Sequence, residues 1–346
     1  MNVRAWAAAL ALAAVTASSA AAADRPTVKV ASVTNELGAW CLEDGFVYQP
    51  AFVAPGSSSP ADFQPVLLGT SQAVIATDSG ELPLDECMGL GTLVQAYGKG
   101  AHHVAIIAVT GIEPSYWLLG SKNVKKLADL KGRNLASNGP QTTATQAVIA
   151  ILQHGAHLAP DKDYTFVAAG NAGARAAALA AGKIDGISAA QPYVYNLIDE
   201  GYPVLAMERQ YVPNYVLGTL AVNKDWAEKN RPLVVAILKT MLQLGHWLDA
   251  PANKDAVIAK LADGMTEGTN KIGMDYARRM YTDTVAVKGG VVDGGFADRK
   301  LFMSTLDLLA ERGLVAKGDY PPLDQIVDYR YLNEARRQLG MPEVRL

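Results

Sequence analysis

The sequence predicts an α/β protein of two lobes with a mostly helical C-terminal tail. Three observations carry this reading. Short β-rich runs alternate with helical stretches from Val28 to Ala206, the rhythm of a parallel sheet with helical crossovers. The rhythm breaks and restarts after Pro114, and long amphipathic helices take over from about Arg231. At 346 residues the chain also exceeds what one hydrophobic core usually holds.

Taken in order, Val28 to Val33 reads as a first strand, followed by a turn-like segment with Gly38 and a second strand from Phe46 to Val53. After a Pro/Gly/Ser loop, Asp62 to Leu68 suits one or two helical turns, and Ala73 to Thr77 reads as a third strand ending at Asp78-Ser79-Gly80. Residues 84–98 read as a helix, and Val104 to Val109 is an unbroken apolar run of the kind buried on both faces. In the second block, strands are expected at Tyr116–Leu119, Asn134–Ser137, Tyr164–Ala168, Ile184–Ala189 and Pro203–Ala206. Between them lie a short helix at Val124–Leu130, a helix running to His154, and an Ala-rich helix from Ala172 to Ala181. Thr142 or Thr143 can cap the helix that ends at His154. The tail is read as helices over Pro232–Leu248, Asp255–Ala262, Asp275–Thr282 and Arg299–Glu311.

Arg4, the apolar stretch Trp6 to Val15 and the small residues ending in Ala21-Ala22-Ala23 form the pattern of a cleavable secretory signal, with cleavage before Asp24. The apolar run is well short of the roughly 20 residues that span a bilayer, and no Cys stands at the cleavage point for lipid attachment. The expected location is therefore the periplasm, without an anchor. With 50% hydrophobic and 19% charged residues, the chain is globular rather than disordered. A net charge of −3 without basic clusters argues against nucleic acid as partner. Cys41 and Cys87 are the only cysteines; an even pair in an exported chain suggests a disulfide, and two buried thiols are the alternative.

An enzyme should show a nucleophile, a base or a metal site, and no such pattern stands out. Gly186-Ile187-Ser188-Ala189-Ala190 lacks the last glycine of a nucleophile elbow. Gly89-Leu90-Gly91 lacks the third glycine and the strand-to-helix setting of a dinucleotide loop, and there is no P-loop. His102, His103, His154, His157 and His246 form no cluster at ligand spacing. The expectation is no catalytic residue, no metal and no cofactor: a binding protein.

A solute needs a cleft with an apolar floor and a few placed polar groups. Parallel sheets offer one at the carboxyl ends of their strands, where helix N-termini present free N–H groups. Polar loops fall at such places: Thr34-Asn35, Asp78-Ser79, Asn138 to Thr143, Asn171, and Gln191 to Tyr193. Any one of them has the ordinary reading of a helix cap; together they outline a cleft.

At these loops the chain resembles the periplasmic solute-binding proteins of nitrate/sulfonate/taurine ABC transporters, a superfamily that also contains fungal enzymes making the thiamine pyrimidine. The resemblance is carried by Val124-Lys125-Lys126-Leu127-Ala128-Asp129-Leu130-Lys131-Gly132-Arg133, by Arg175 through Asp185 with its "Ala-Gly-Lys-Ile-Asp-Gly", and by Gln191-Pro192-Tyr193, in order between Val28 and Trp226. The Cys-rich motif of the fungal enzymes is missing.

The resemblance implies a type II periplasmic binding protein, each lobe a parallel or mixed sheet with helices on both faces. Two crossing strands near Thr110–Pro114 and Val212–Gly218 would join the lobes. Lobe one would comprise residues 24–111 plus 217–346, and lobe two residues 112–216. Carried over from the family pattern, the pocket residues are Asn35, Trp40, Asp78, Ser79, Thr142, Thr143, Gln191 and Tyr193; Tyr215 joins them because it lies on the second crossing. The segment from Asn35 to Asp44 is shorter than the family's usual first helix. The implied strand order makes the first and third strands neighbours, which would let Cys41 and Cys87 meet at the cleft rim. Asp78 would either face the cleft or cap a helix. The implied function is capture of a small anionic or aromatic organic solute by a monomer and delivery to an ABC permease at the inner membrane. A ligand-sensing protein of the same fold, or an exported enzyme, are the alternatives.

Overall fold

The computed structural model describes residues 25–32, 53–86, 88–112, 114–137, 139, 142–170, 172–191, 193–264, 266–267, 270–287 and 294–346. The segment read as a secretory signal, Asn35, Trp40, residues 46–52 of the expected second strand and both cysteines lie outside them.

The first five-stranded sheet is built from β1 (Thr27–Ser32), β2 (Asp62–Leu67), β3 (Leu84–Asp85), β4 (Val104–Gly111) and a strand that returns late in the chain, Gly218–Asn223. The second holds β5 (Trp117–Gly120), β6 (Asn134–Ser137), β7 (Thr165–Ala168), β8 (Gly186–Ala189) and β9 (Val204–Met207), which makes the returning strand β10. The orders are β2-β1-β3-β10-β4 and β7-β6-β8-β5-β9. The two follow one scheme. In each, three parallel neighbours are joined to one outer strand through an antiparallel strand, β10 in the first and β5 in the second. Each antiparallel strand is the one that enters from the other sheet's side of the chain. Gly186 allows a close approach within the second sheet: a Cβ there would stand 2.9 Å from Leu135 Cδ2 and 3.3 Å from Leu119 O, so these neighbours would have to shift.

The chain passes between the sheets twice, and the passages pair with each other. Tyr215 N donates to Ile112 O at 3.0 Å and Leu217 N to Gly111 O at 2.8 Å, so the β4–β10 ladder runs on into both connections. Every residue of β4 and β10 is buried, as the apolar run predicts. The outer edge of β4 is covered rather than left open, since Val109 N donates to Gly295 O and Asp328 N to Ile106 O.

Three expectations for the first half are overturned. Asp62–Leu67 is a strand, not helical turns; it lies at the sheet edge, where Pro65 withholds no needed N–H. Ala73–Thr77 belongs to a helix, α1 (Thr70–Asp78), not a strand. Ala73, Val74, Ala76 and Thr77 face inward while Ile75 is exposed, a helical pattern that a short apolar run conceals. Residues 84–98 divide into β3 and the helix α2 (Leu90–Tyr97), because Gly89 opens the helix. The remaining helices are α3 (Thr143–Ala156), α4 (Ala172–Ala180), α5 (Tyr193–Asp199), α6 (Lys224–Lys229), α7 (Arg231–Asp249), α8 (Lys254–Gly264), α9 (Gly273–Met280), α10 (Arg299–Glu311), α11 (Leu323–Ile326) and α12 (Arg330–Gln338). The tail is thus helical as expected, with a π-helical turn over Tyr281–Val285 continuing α9. No helix among the described residues is long and apolar enough to cross a membrane.

Candidate functional site

A cavity of about 460 Å³ opens between the two sheets, against the paired connections. Three helix N-termini reach it: Gly69 to Gln72 at the start of α1, Gly89 to Thr92 at the start of α2, and Gly139 with Thr142 and Gln146 at the start of α3. The first N–H groups of a helix have no partner within it and carry its positive dipole end. In α1 and α2 the cap residue is glycine; at the α1 start Gln72 Oε1 accepts from Gly69 N at 3.1 Å, and at the α2 start no side chain caps the end. Thr142 caps α3, accepting from Thr145 N at 3.4 Å. The α2 end therefore offers backbone donors with no side-chain cap over them, and the α1 end has only its Gly69 N–H taken by a side chain.

The remaining wall comes from the connections and from α10. Tyr215, Val216 and Leu217 line it together with Leu309, Arg312 and Leu314. Val216 N donates to Thr305 Oγ1 at 2.9 Å, and Gln95 Nε2 donates to Leu314 O at 2.7 Å, so α10 and the segment after it are tied to both the crossing and α2. Leu90, Val216, Leu217, Leu309 and Leu314 add apolar residues to the cavity lining beside its polar helix ends.

Arg312 is the charged group of this wall. Its side chain is 8% exposed and stands at the C-terminal end of α10, where the dipole favours a cation. Nη2 is buried with no hydrogen-bond partner; its nearest opposite charge is Glu208 Oε1 at 3.8 Å, beyond hydrogen-bond reach. The guanidinium also lies 5.7 Å from the Tyr215 ring centre. Glu208 is fully buried, and its two oxygens stand 3.2 and 3.4 Å from the Tyr215 hydroxyl, which donates to the carboxylate. Burial first, and then the Glu208 charge, push the Tyr215 phenol well above its ordinary value, so it stays a neutral donor. Tyr116 beside it is pushed up by burial in the same way.

The structure brings Thr142 and Tyr215 together in this cavity, with Thr143 in the first turn of the same helix. Gln191 and Tyr193 stand at the carboxyl end of β8, on the wall that carries Thr142, but not in the cavity lining. Gln191 is buried and Tyr193 packs half-buried against the main core. Asp78 and Ser79 are not brought here. They end α1 at the far side, where Asp78 Oδ1 accepts from His103 N at 2.7 Å and Asn223 Nδ2 donates to the Thr77 and Asp78 carbonyls. Asp78 thus caps no helix start. Asn35, Trp40, Asn138, Asn171 and Pro192 lie outside the described residues.

Sequence reasoning missed the Gly69 and Gly89 helix starts and Arg312. The two glycines were legible as N-caps once Asp62–Leu67 is taken as a strand. Arg312 carries no local signal, because its partners come from distant segments.

Residues 108–262 match the model of the NMT1-like family. Comparison with curated proteins by sequence finds no match. Among solved structures, the chain is similar to the periplasmic sulfonate-binding protein SsuA of Methylobacillus flagellatus KT, with a TM-score of 0.65, 19% identity, and 92% of this chain and 96% of that one covered. It is similar to the periplasmic nitrate-binding protein NrtA of Synechocystis PCC 6803, with a TM-score of 0.63, 13% identity, and 92% and 90% covered. It is also similar to the desulfurization enzyme DszB, with a TM-score of 0.61, 15% identity, and 91% and 100% covered. The fold is therefore that of the type II periplasmic binding proteins, and the resemblance read from the sequence is found in it. Most of these neighbours are binding proteins, and an enzyme shares the fold.

Proposed function

We propose that this chain is the substrate-binding component of an ABC importer, and that it captures a small organic anion in the cavity at Arg312. The observation that carries this reading is the convergence of positive ends. The starts of α1, α2 and α3 and a buried guanidinium whose Nη2 has no hydrogen bond surround one space. An acidic head there gains backbone N–H donors and a charge-assisted bond to Arg312, contributing about 1.5–3 kcal/mol for the charged bond. Leu90, Leu309 and Leu314 suit an organic body beyond that head. The sulfonate- and nitrate-binding names of the neighbours support an anion.

The two lobes are residues 24–111 plus 217–346, and 112–216, with the pairing of Tyr215 to Ile112 as the joint between them. The working protein is a periplasmic monomer released from the signal segment 1–23, and its partner is an inner-membrane permease. Thermal-shift titration with a panel of alkyl and aryl sulfonates and carboxylates tests the function. Saturable stabilisation with the anion recovered unchanged supports it. Stabilisation by organic cations alone, or consumption of the anion, would overturn it.

A further inference from the structure

We infer that the site admits singly charged organic anions and rejects doubly charged ones, and that Glu208 sets this limit through Arg312. The inference rests on the anion-capture reading above and deepens it to a substrate class: sulfonates, sulfate esters and carboxylates with one charge, and not phosphate esters as dianions.

The charges of the wall point to this limit. Arg312 is the one charged side chain among the described residues that line the cavity. The other polar side chains there, such as Thr70, Ser71, Thr92 and Gln95, are neutral hydroxyls and amides. Glu208 lies outside the lining, yet it meets the wall twice. Its Oε1 stands 3.8 Å from Arg312 Nη2 and accepts from the Tyr215 hydroxyl at 3.2 Å, and both of those residues line the cavity. Fully buried, Glu208 has no solvent contact to screen its charge. The positive charge of Arg312 is therefore opposed at close range by a full negative one.

Two further features keep the field small. Arg312 closes α10 as its C-cap residue, so it shares its place with the negative end of that dipole. Tyr215 has one hydroxyl proton, which it gives to Glu208, and its raised phenol keeps that proton there. The starts of α1, α2 and α3 act in the other sense, with N–H donors and about half a positive charge each at most. Such ends suit the oxygens of one head group. They do not amount to a second buried cation.

The first and second charges of a ligand thus meet different conditions. The first is held by Arg312 and the helix donors. Burial of a second is costlier, because the solvation an ion loses grows with the square of its charge. What the second charge meets in return is a guanidinium already opposed by Glu208.

The test is isothermal titration of the whole mature chain at about pH 8 with phenyl sulfate and phenyl phosphate, two probes of nearly one shape. The second ionisation of a phosphate ester lies at about pH 6, so phenyl phosphate carries close to two charges there and phenyl sulfate one. Phenyl sulfate is expected to bind about 10- to 100-fold more tightly. Glu208→Gln should raise the affinity for phenyl phosphate more than for phenyl sulfate and bring the two within about threefold. A merely structural role for Glu208 would weaken both probes alike and leave their ratio unmoved.

A second measurement needs no variant. At about pH 5 phenyl phosphate is mostly singly charged, and the native chain should then bind it nearly as tightly as phenyl sulfate. Arg312, Tyr215 and Tyr116 face Glu208, and none of the three loses or gains a proton between these pH values. Phenyl sulfate, singly charged throughout, reports any other titration of the protein. A native preference for phenyl phosphate at about pH 8, or a preference for phenyl sulfate that survives in folded Glu208→Gln or at about pH 5, overturns the inference and leaves anion capture standing. Failure of both probes to bind counts against anion capture itself.

Discussion

Arg312 Nη2 and Glu208 Oε1 stand 3.8 Å apart with both side chains buried, and the Tyr215 hydroxyl donates to the same carboxylate. The pair is too long for a hydrogen bond, so the guanidinium keeps donors for a ligand while Glu208 offsets part of its charge.

Glu208→Gln should therefore have two effects of opposite sense. Removing one partner of a buried ion pair costs about 3–5 kcal/mol, which urea denaturation of the ligand-free protein would show. The same change leaves Arg312 with its full field, so organic anions should bind more tightly. Saturating benzenesulfonate should restore much of the lost stability. A uniform loss of stability and affinity would contradict this role for Glu208.

Gly69 offers a second separation of stability from binding. The residue opens α1 with an ordinary negative φ and brings no side-chain acceptor of its own to the N–H groups of the first turn, while Gln72 Oε1 accepts from Gly69 N. Gly69→Asp should raise the melting temperature slightly, since Asp caps better than Gly by a few tenths of a kcal/mol. It places a carboxylate over the donors intended for the anion, so affinity should fall by about tenfold or more. Melting curves and titration on the same preparation check both signs.

Gly155 serves as a control away from the cavity. A Cβ there would stand 2.6 Å from Leu127 Cδ1 and 2.8 Å from Tyr211 Cε1. Gly155→Ala should destabilise by about 1–3 kcal/mol through overpacking, with anion affinity unchanged in the folded fraction.

Asp199 predicts a pH dependence. The hydrogen bond from Arg279 at 2.6 Å, with a further one from Tyr276, holds its carboxyl below the usual aspartate value. A depressed folded value contributes stability above the unfolded pKa of about 3.9 and loses it as pH falls through the folded value. Asp199→Asn should lower the melting temperature at pH 7, and the difference should close below the ordinary aspartate range.

The sequence was most readable where strands are apolar and bounded by glycine or proline. Val104–Gly111 is buried throughout, and the strands of the second sheet fall close to their expected places. The first half reads poorly for a physical reason. An edge strand such as Asp62–Leu67 tolerates Gln64 and Pro65, while the compact run Ala73–Thr77 has the composition of a strand and the burial pattern of a helix. Exchanging these two assignments hid Gly69 as a helix start. Thr142 was legible because a capping threonine announces itself locally. Arg312 was not, since its meaning depends on Glu208 and Tyr215, which only the folded chain brings to it.

Titration calorimetry of an organic sulfonate or carboxylate against the native chain and Arg312→Met tests the central claim most directly. Capture at Arg312 predicts one saturable site in the native chain and about 10- to 100-fold weaker binding in the variant, both proteins folded. Equal affinity in the two, or no anion bound by the native chain, would contradict it.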